Sequence, residues 1–223
     1  MGDEVPFVDR LPAASRARFE QLGRARDVRA GGVLVLEGDV ASRAWLVRDG
    51  LVKIESSHPD GRSPILALRG AGELIGEVGA LDGGGRSATV TAVVPTSVRE
   101  FSSDELREVV RADPDTALAL IAHLAARLRE ADRFRVSYMG DDVPRRLAGC
   151  LCALADRHGR PTDDGLGREI DLPLSQEDLA SLIAASRDSV ARTLHGWRKR
   201  GLVTTGRRSI VIVDVERLRP DMG

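Results

Sequence analysis

Arg86 and Ser87 stand side by side after the run Gly83-Gly84-Gly85 and before Ala88. A guanidinium next to a hydroxyl, with free main-chain N–H groups around them, suits a small phosphate. Earlier in the same stretch, Gly76 allows a backbone to approach a ligand closely. Glu77 sets a carboxylate on that loop, where it can accept hydrogen bonds from a sugar hydroxyl. Phosphate and sugar are two of the three parts of a nucleotide. Taken singly, an Arg-Ser pair is a surface feature and a glycine triplet is a hairpin tip. Here they occur in one order, GELIGEVGALDGGGRSATVTA from Gly72 to Ala92, between two flanks that alternate apolar and polar residues as strands do.

A second constellation lies near the other end. Ser175 with Asp178 is a capping-box pattern, and Leu179, Leu182 and Ile183 give the helix it opens a buried face. A tight break follows at Ala184-Ala185. Ser186 caps a second helix with Val190, Leu194 and Trp197 inward and Arg187, Asp188 and Arg192 outward, ending in Arg198, Lys199 and Arg200. Two short strands then enclose Gly206-Arg207-Arg208. This reads as a helix-turn-helix followed by a wing. The chain carries 33 Lys and Arg against 34 Asp and Glu, a net charge of −1, so any nucleic-acid surface must be a local patch. The basic helix end and wing tip form such a patch. A solvated helix end would account for the charge, but not for its coincidence with the motif.

The remaining elements must position these two groups. Leu11, Phe19 and Leu22 predict one short amphipathic helix between Arg10 and Arg26. From Val28 to about Phe101 the apolar runs are short and separated by turn signals, including Asp49-Gly50 and Asp60-Gly61, which predicts a sandwich, barrel or roll. Ser103 is the expected cap of a helix from Asp104 or Glu105. Asp113-Pro114 opens a long helix to about Met139. On it Leu118, Ile121, Ala125 and Leu128 form one apolar stripe, with Leu120 and Leu124 on an adjacent one. Two stripes imply two partners, the β domain and a second copy of the chain. Asp132 and Arg135 continue the seam as polar positions that fix register, meet a ligand or pair across a dimer. Asp142-Val143-Pro144 starts a further helix carrying Leu147, Leu151, Leu154 and Ala155. Gly159 to Gly167 reads as a polar loop and Glu169–Leu172 as a short strand.

The 223 residues are 42% apolar but only 3% aromatic, so the cores are built from Leu, Val, Ile and Ala. No apolar run spans a membrane and no signal-peptide pattern opens the chain, so a cytoplasmic protein without a membrane partner is expected. Cys150 and Cys152 read as buried reduced thiols. No metal-ligand spacing, nucleophile–base pair or catalytic carboxylate pair is present, which argues against a metal site and against an enzyme.

Gly72, Leu74, Gly76, Glu77, Ala80, Leu81, Arg86, Ser87, Ala88, Thr89 and Val90 resemble the phosphate-binding cassette of cyclic-nucleotide-binding domains. Cassette, long helix, Asp-Val-Pro hinge and winged helix-turn-helix, in this order, resemble the Crp/Fnr family of bacterial transcription regulators over nearly the whole chain. The resemblance implies an α+β fold: an N-terminal cyclic-nucleotide-binding β-roll with flanking short helices over 1–112, a long dimerisation helix over 113–140, and a winged helix-turn-helix over 141–223. It implies that Glu77 binds the ribose 2′-OH while Arg86 and Ser87 bind the cyclic phosphate, helped by main-chain N–H groups near Gly76, Val78 and Ala88. It implies a homodimer along the long helix, a near-palindromic double-stranded DNA operator, and RNA polymerase as a further partner. Arg187 and Arg192 would read bases, with Ser175, Ser186 and Ser189 holding phosphates or capping helices and Arg207 and Arg208 at the wing tip.

Three positions depart from the family pattern. Asp188 replaces the usual Glu of the recognition helix and reaches less far, so a cytosine contact is lost or shifted. Ala184 replaces the turn glycine and costs roughly 1 kcal/mol or more if it takes a positive φ. Ala131 and Asp132 stand where the cyclic-AMP-binding members offer two hydroxyls to the base. A carboxylate at Asp132 suits guanine as well as adenine, so cyclic AMP leads cyclic GMP only narrowly. The iron–sulfur branch needs four cysteines and is excluded. A regulator that binds DNA without nucleotide, or answers another effector, stays open as the alternative. So does a regulatory subunit that gates a partner.

Overall fold

The structure is a computed structural model that describes residues 5–58, 63–206 and 208–219. Asp60-Gly61 and Arg207 lie outside the described residues. The chain forms two compact units, Asp3–Arg129 and Glu130–Gly223, which divide within the long helix.

The N-terminal unit starts with a 3-10 turn, Phe7–Arg10, and helix α1, Ala13–Gln21. Strands β1 (Arg24–Val28), β2 (Val33–Val35), β3 (Arg43–Asp49), β4 (Leu51–Glu55), β5 (Ile65–Gly70) and β6 (Leu74–Ile75) follow. Helix α2 (Glu77–Asp82), strands β7 (Thr89–Ala92) and β8 (Thr96–Ser102), helix α3 (Ser103–Ala112) and the start of α4 (Pro114–Gly140) complete it. The single helix expected between Arg10 and Arg26 is thus a 3-10 turn, a helix and a strand. Gly23 takes φ 65° and turns the chain so that β1 pairs with β8 instead of extending α1. The expected Ser103 cap moves back one residue: Ser102 Oγ accepts from Glu105 N, and Glu105 reaches back to Ser102 N.

Two antiparallel sheets, β1-β8-β3-β6 and β2-β7-β4-β5, make the β-roll. Alternation along β3 shows how the core divides. Trp45 and Val47 join Val28, Val35, Val52, Ile75, Val90 and Val98, a cluster drawn from both sheets. Ala44 and Leu46 point the other way, joining Phe7, Phe19, Phe101, Leu106 and Leu120 beneath the helices. On α4, Ala119, Leu120, His123 and Ala126 are buried, while Leu118, Ile121 and Leu128 are 61–64% exposed. The two expected stripes are therefore separate, one packed and one open.

In the C-terminal unit Asp142 caps α5 (Val143–His158), with Pro144 in the first turn. Strands β9 (Arg160–Pro161) and β10 (Arg168–Ile170), helices α6 (Gln176–Leu182) and α7 (Arg187–Lys199), strands β11 (Val203–Thr205) and β12 (Ile210–Ile212) and helix α8 (Val215–Leu218) follow. The expected 159–167 loop contains β9, because the sheet order β11-β12-β10-β9 uses it as an edge. Leu147, Leu151, Leu154, Leu179, Val190, Leu194, Trp197, Val203 and Ile212 are buried. Cys152 is buried, while Cys150, expected to be buried as well, is half-buried; desolvation pushes the Cys150 thiol up to about 12 and that of Cys152 to about 11. No helix among the described residues is long and apolar enough to cross a membrane.

Candidate functional site

Gly76 sits between β6 and α2 with φ 74°. A Cβ there would lie 2.6 Å from Arg86 Nη1 and 3.1 Å from the Trp45 ring. Positive φ and close approach both demand glycine. Gly76 is followed by helix α2, of which Glu77 is the first residue. The Glu77 side chain is 1% exposed, while Val78 is exposed.

Arg86 is held from two directions. Its main chain is pinned to the β2–β3 loop: Arg86 N donates to Asp39 O at 2.9 Å, and Gly38 N donates to Arg86 O at 2.9 Å. Its guanidinium is buried, Nη1 donating to Gly76 O at 2.9 Å and Nη2 to Arg43 O. The Nε has no hydrogen-bond partner among the described residues, and Cζ lies 5.1 Å from the centroid of the Trp45 ring. Burial lowers the Arg86 pKa, opposed by the charges of Glu77 and Asp39. Ser87 is exposed next to it and Ala88 is buried. Gly76, Glu77, Arg86, Ser87 and Ala88 thus belong to one unit and are tied through the Gly76–Arg86 contact. Asp132 falls in the other unit, exposed, and accepts from Arg135 Nη1 at 3.0 Å within its own helix.

Arg127 was not evident from the sequence. Its Nη1 lies 2.6 Å from Glu77 Oε1, and its Nη2 donates to Leu74 O at 2.5 Å. The spacing Leu120, His123, Arg127 puts it on the packed face of α4, a signal available only once that face is known. His123 is buried beside it, its Nδ1 3.9 Å from Glu73 Oε2. Burial, with the charges of Arg127, Arg69 and Arg10, pushes its pKa down to about 3, so the ring is neutral.

At the C-terminal end, Ser175 Oγ accepts from Asp178 N at 3.0 Å and Ser175 N donates to Asp178 Oδ2 at 2.8 Å, as the capping box predicts. Ala184 takes φ 49° between α6 and α7. Arg146 satisfies that turn: its Nε donates to Ile183 O at 3.0 Å and its Nη1 to Asp141 O at 2.7 Å. Ser186 Oγ caps α7 by accepting from Ser189 N at 3.2 Å. Arg187, Asp188 and Arg192 stand exposed on α7, opposite the buried Val190, Leu194 and Trp197. Arg192 Nη2 donates to Ser189 Oγ at 3.1 Å. Arg198 Nη1 donates to Thr205 Oγ1 at 3.0 Å, fastening the helix end to the wing, where Arg208 is exposed.

Residues 25–113 match the family profile described as a cyclic nucleotide-binding domain, and residues 145–220 match that of a Crp-like helix-turn-helix domain. The chain is 32% identical over 207 residues to the CRP-like cAMP-activated global transcriptional regulator of Mycobacterium tuberculosis, covering 93% of this chain and 91% of that protein. It is 35% identical over 179 residues to the cyclic AMP receptor protein of Thermus thermophilus, covering 79% and 77%. Among solved structures, the c-di-GMP-responsive global regulator of Xanthomonas campestris superposes with a TM-score of 0.76 at 23% identity, over 90% of this chain and 99% of that one, a likeness of fold.

Proposed function

Because the chain belongs to the Crp/Fnr family of transcription regulators, we propose that it is a homodimer whose DNA binding is controlled by a cyclic nucleotide, cyclic AMP ahead of cyclic GMP. It acts in the cytoplasm as a regulator and not as an enzyme. Residues 1–112 bind the nucleotide, 113–140 form the dimer helix and 141–223 bind DNA. The observation that carries the nucleotide reading is the Arg86 guanidinium: buried, oriented by neutral carbonyls, with Nε unpartnered among the described residues. A buried cation in that state gains from an arriving phosphate. Ser87 and the main chain at Gly76, Val78 and Ala88 complete the phosphate seat and Glu77 meets the ribose, while Asp132 is the residue that the sequence offers to the base. Two protein relatives named for cyclic AMP support that base, but Asp132 keeps cyclic GMP in contention.

The open stripe Leu118, Ile121, Leu128 supplies the dimer seam, which matches two α7 helices to a near-palindromic operator. Arg187 and Arg192 read bases, Asp188 is the shortened acid beside them, Ser175, Ser186 and Ser189 hold phosphates or caps, and Arg208 reaches the backbone from the wing, with Arg207, its neighbour in sequence, a further candidate. RNA polymerase is the further partner. The effector acts only so far as it binds two arrangements of the dimer differently.

One observation favours a second reading, regulation without nucleotide. Glu77 already has an ionic partner in Arg127, and Arg86 has two carbonyl acceptors, so the cassette is largely satisfied unliganded. Calorimetric titration with cyclic AMP and with cyclic GMP separates the two. Saturable binding that Arg86→Ala abolishes supports nucleotide control, and the preferred base defines the part of Asp132. No heat with either, from protein free of co-purified nucleotide, together with unchanged operator binding by Arg86→Ala, supports the second reading.

A further inference from the structure

A row of residues crosses the sheet β1-β8-β3-β6 and ends beside the cassette. Arg24 pairs with Glu100, Glu100 with Trp45, and Trp45 with Ile75, which precedes Gly76. Trp45 and Ile75 face the cluster shared by the two sheets. In that row stands a buried carboxylate. Glu100 is 3% exposed and accepts from Arg24 Nη2 at 2.7 Å, Arg26 Nη1 at 2.9 Å, Trp45 Nε1 at 3.0 Å, and Arg43. Burial pushes its pKa up, but the hydrogen bonds from Arg24, Trp45 and Arg26 and the charge of Arg43 outweigh that and hold it at about 2. It is a fixed charge already surrounded by its own cations.

The indole therefore has one edge tied down and one face occupied. Its N–H is held by Glu100, and its ring lies against the Arg86 guanidinium at 5.1 Å. Strand β3 also supplies the Arg43 carbonyl that takes Arg86 Nη2. A guanidinium that is to meet a phosphate must be oriented without being neutralised. A carboxylate bonded to it would compete with the ligand, whereas an aromatic face and two carbonyls hold its direction and leave its charge available.

We propose that Trp45 is a positioning residue for the effector's phosphate, acting through Arg86: the indole, anchored by its N–H to Glu100, fixes the guanidinium that lies over its ring face. The proposal rests on the cassette reading given above. Trp45 is not expected to touch the phosphate; it sets where the charge that receives it points.

Calorimetric titration of the full chain with cyclic AMP and cyclic GMP tests it, alongside the melting temperature of each variant. Trp45→Leu keeps an apolar filler but loses the π face, and the expected result is a folded protein with nucleotide affinity weakened about tenfold or more. Trp45→Phe keeps a face without the N–H and is expected to recover most of that loss. A signature that a merely structural tryptophan would lack comes from Trp197→Phe, which leaves Trp45 as the sole indole, since the chain has 2 Trp. Its emission is expected to change on titration, with a midpoint matching the calorimetric one, as the guanidinium engages the phosphate. A folded Trp45→Leu protein that binds like wild type overturns the proposal. So does Trp45 emission indifferent to saturating nucleotide, and this arm decides alone if Trp45→Leu fails to fold. Wild-type protein that binds neither nucleotide removes the cassette reading, and the proposal with it. Wild-type binding with indifferent Trp45 measurements removes the proposal alone.

Discussion

Glu77 and Arg127 are joined by a 2.6 Å ion pair across 50 residues of sequence. One is the first residue of α2 and the other lies on the packed face of α4, so the pair ties the cassette to the long helix. The Glu77 side chain is 1% exposed, so Arg127 is the partner that compensates its burial. Arg127→Met is expected to cost about 3 kcal/mol in urea unfolding, mostly by stranding a buried carboxylate. Adding Glu77→Gln should restore part of that loss. Additive effects in this double-mutant cycle would mean that the pair does not couple the two elements.

Gly76 allows no side chain. Gly76→Ala places a methyl 2.6 Å from Arg86 Nη1 at a φ of 74°. The expected outcome is a loss of about 1 kcal/mol or more in stability, from the backbone alone. A larger loss should appear in nucleotide affinity, because the guanidinium is displaced. Calorimetry on the folded variant reads the second effect separately from the first.

Ala184 is the one described non-glycine residue with positive φ, at 49°. Ala184→Gly relieves a left-handed alanine at some cost in unfolded-chain entropy, for a net gain of about 0.5–1 kcal/mol. In a chain of this size that is a rise of roughly 1–4 °C in melting temperature, measured by calorimetric scan.

Acid should destabilise the protein in two stages. The His123 pKa is depressed to about 3 from 6.5, so its contribution is complete above about pH 6.5 and is lost as pH falls toward 3. The Glu100 pKa is depressed to about 2 from 4.5, so its contribution is complete above about pH 4.5 and is lost between there and 2. Between pH 6.5 and 4.5 the slope from His123 approaches about 1.4 kcal/mol per pH unit. Half-buried His158, also depressed by desolvation, adds to it. Unfolding free energies for His123→Gln across that window should be flatter than wild type by about one proton.

On DNA, Arg187→Ala and Arg192→Ala should each cost about 1–3 kcal/mol on the operator and relax the preference at one base position per half-site. Arg208→Ala should weaken all sequences alike and reduce the salt slope by about 1. Competition binding at several salt concentrations distinguishes these. A uniform loss from Arg187→Ala would reassign it to the backbone.

The fold was largely legible because its signals are local. Turn residues such as Asp49-Gly50, the capping box at Ser175, and Pro114 and Pro144 in first turns each act within a few residues, whereas the cap expected at Ser103 lies one residue earlier, at Ser102. The two apolar stripes of α4 could be read from spacing, and the structure separates them into a packed and an open face. The segment Arg24–Val28 could not, because it becomes a strand only when β8 arrives to pair with it.

Family membership and the order of the two domains were readable along the chain, because their motifs are local and Gly76, Glu77 and Arg86 fall in one short stretch. The tertiary structure alone decided what holds them. Arg127 reaches Glu77 from the long helix, and Glu100, Trp45 and Arg43 set the environment of Arg86 from across a sheet. These contacts depend on strand register and helix docking, which join residues far apart in sequence, and a charged side chain shows no partner in its neighbours along the chain.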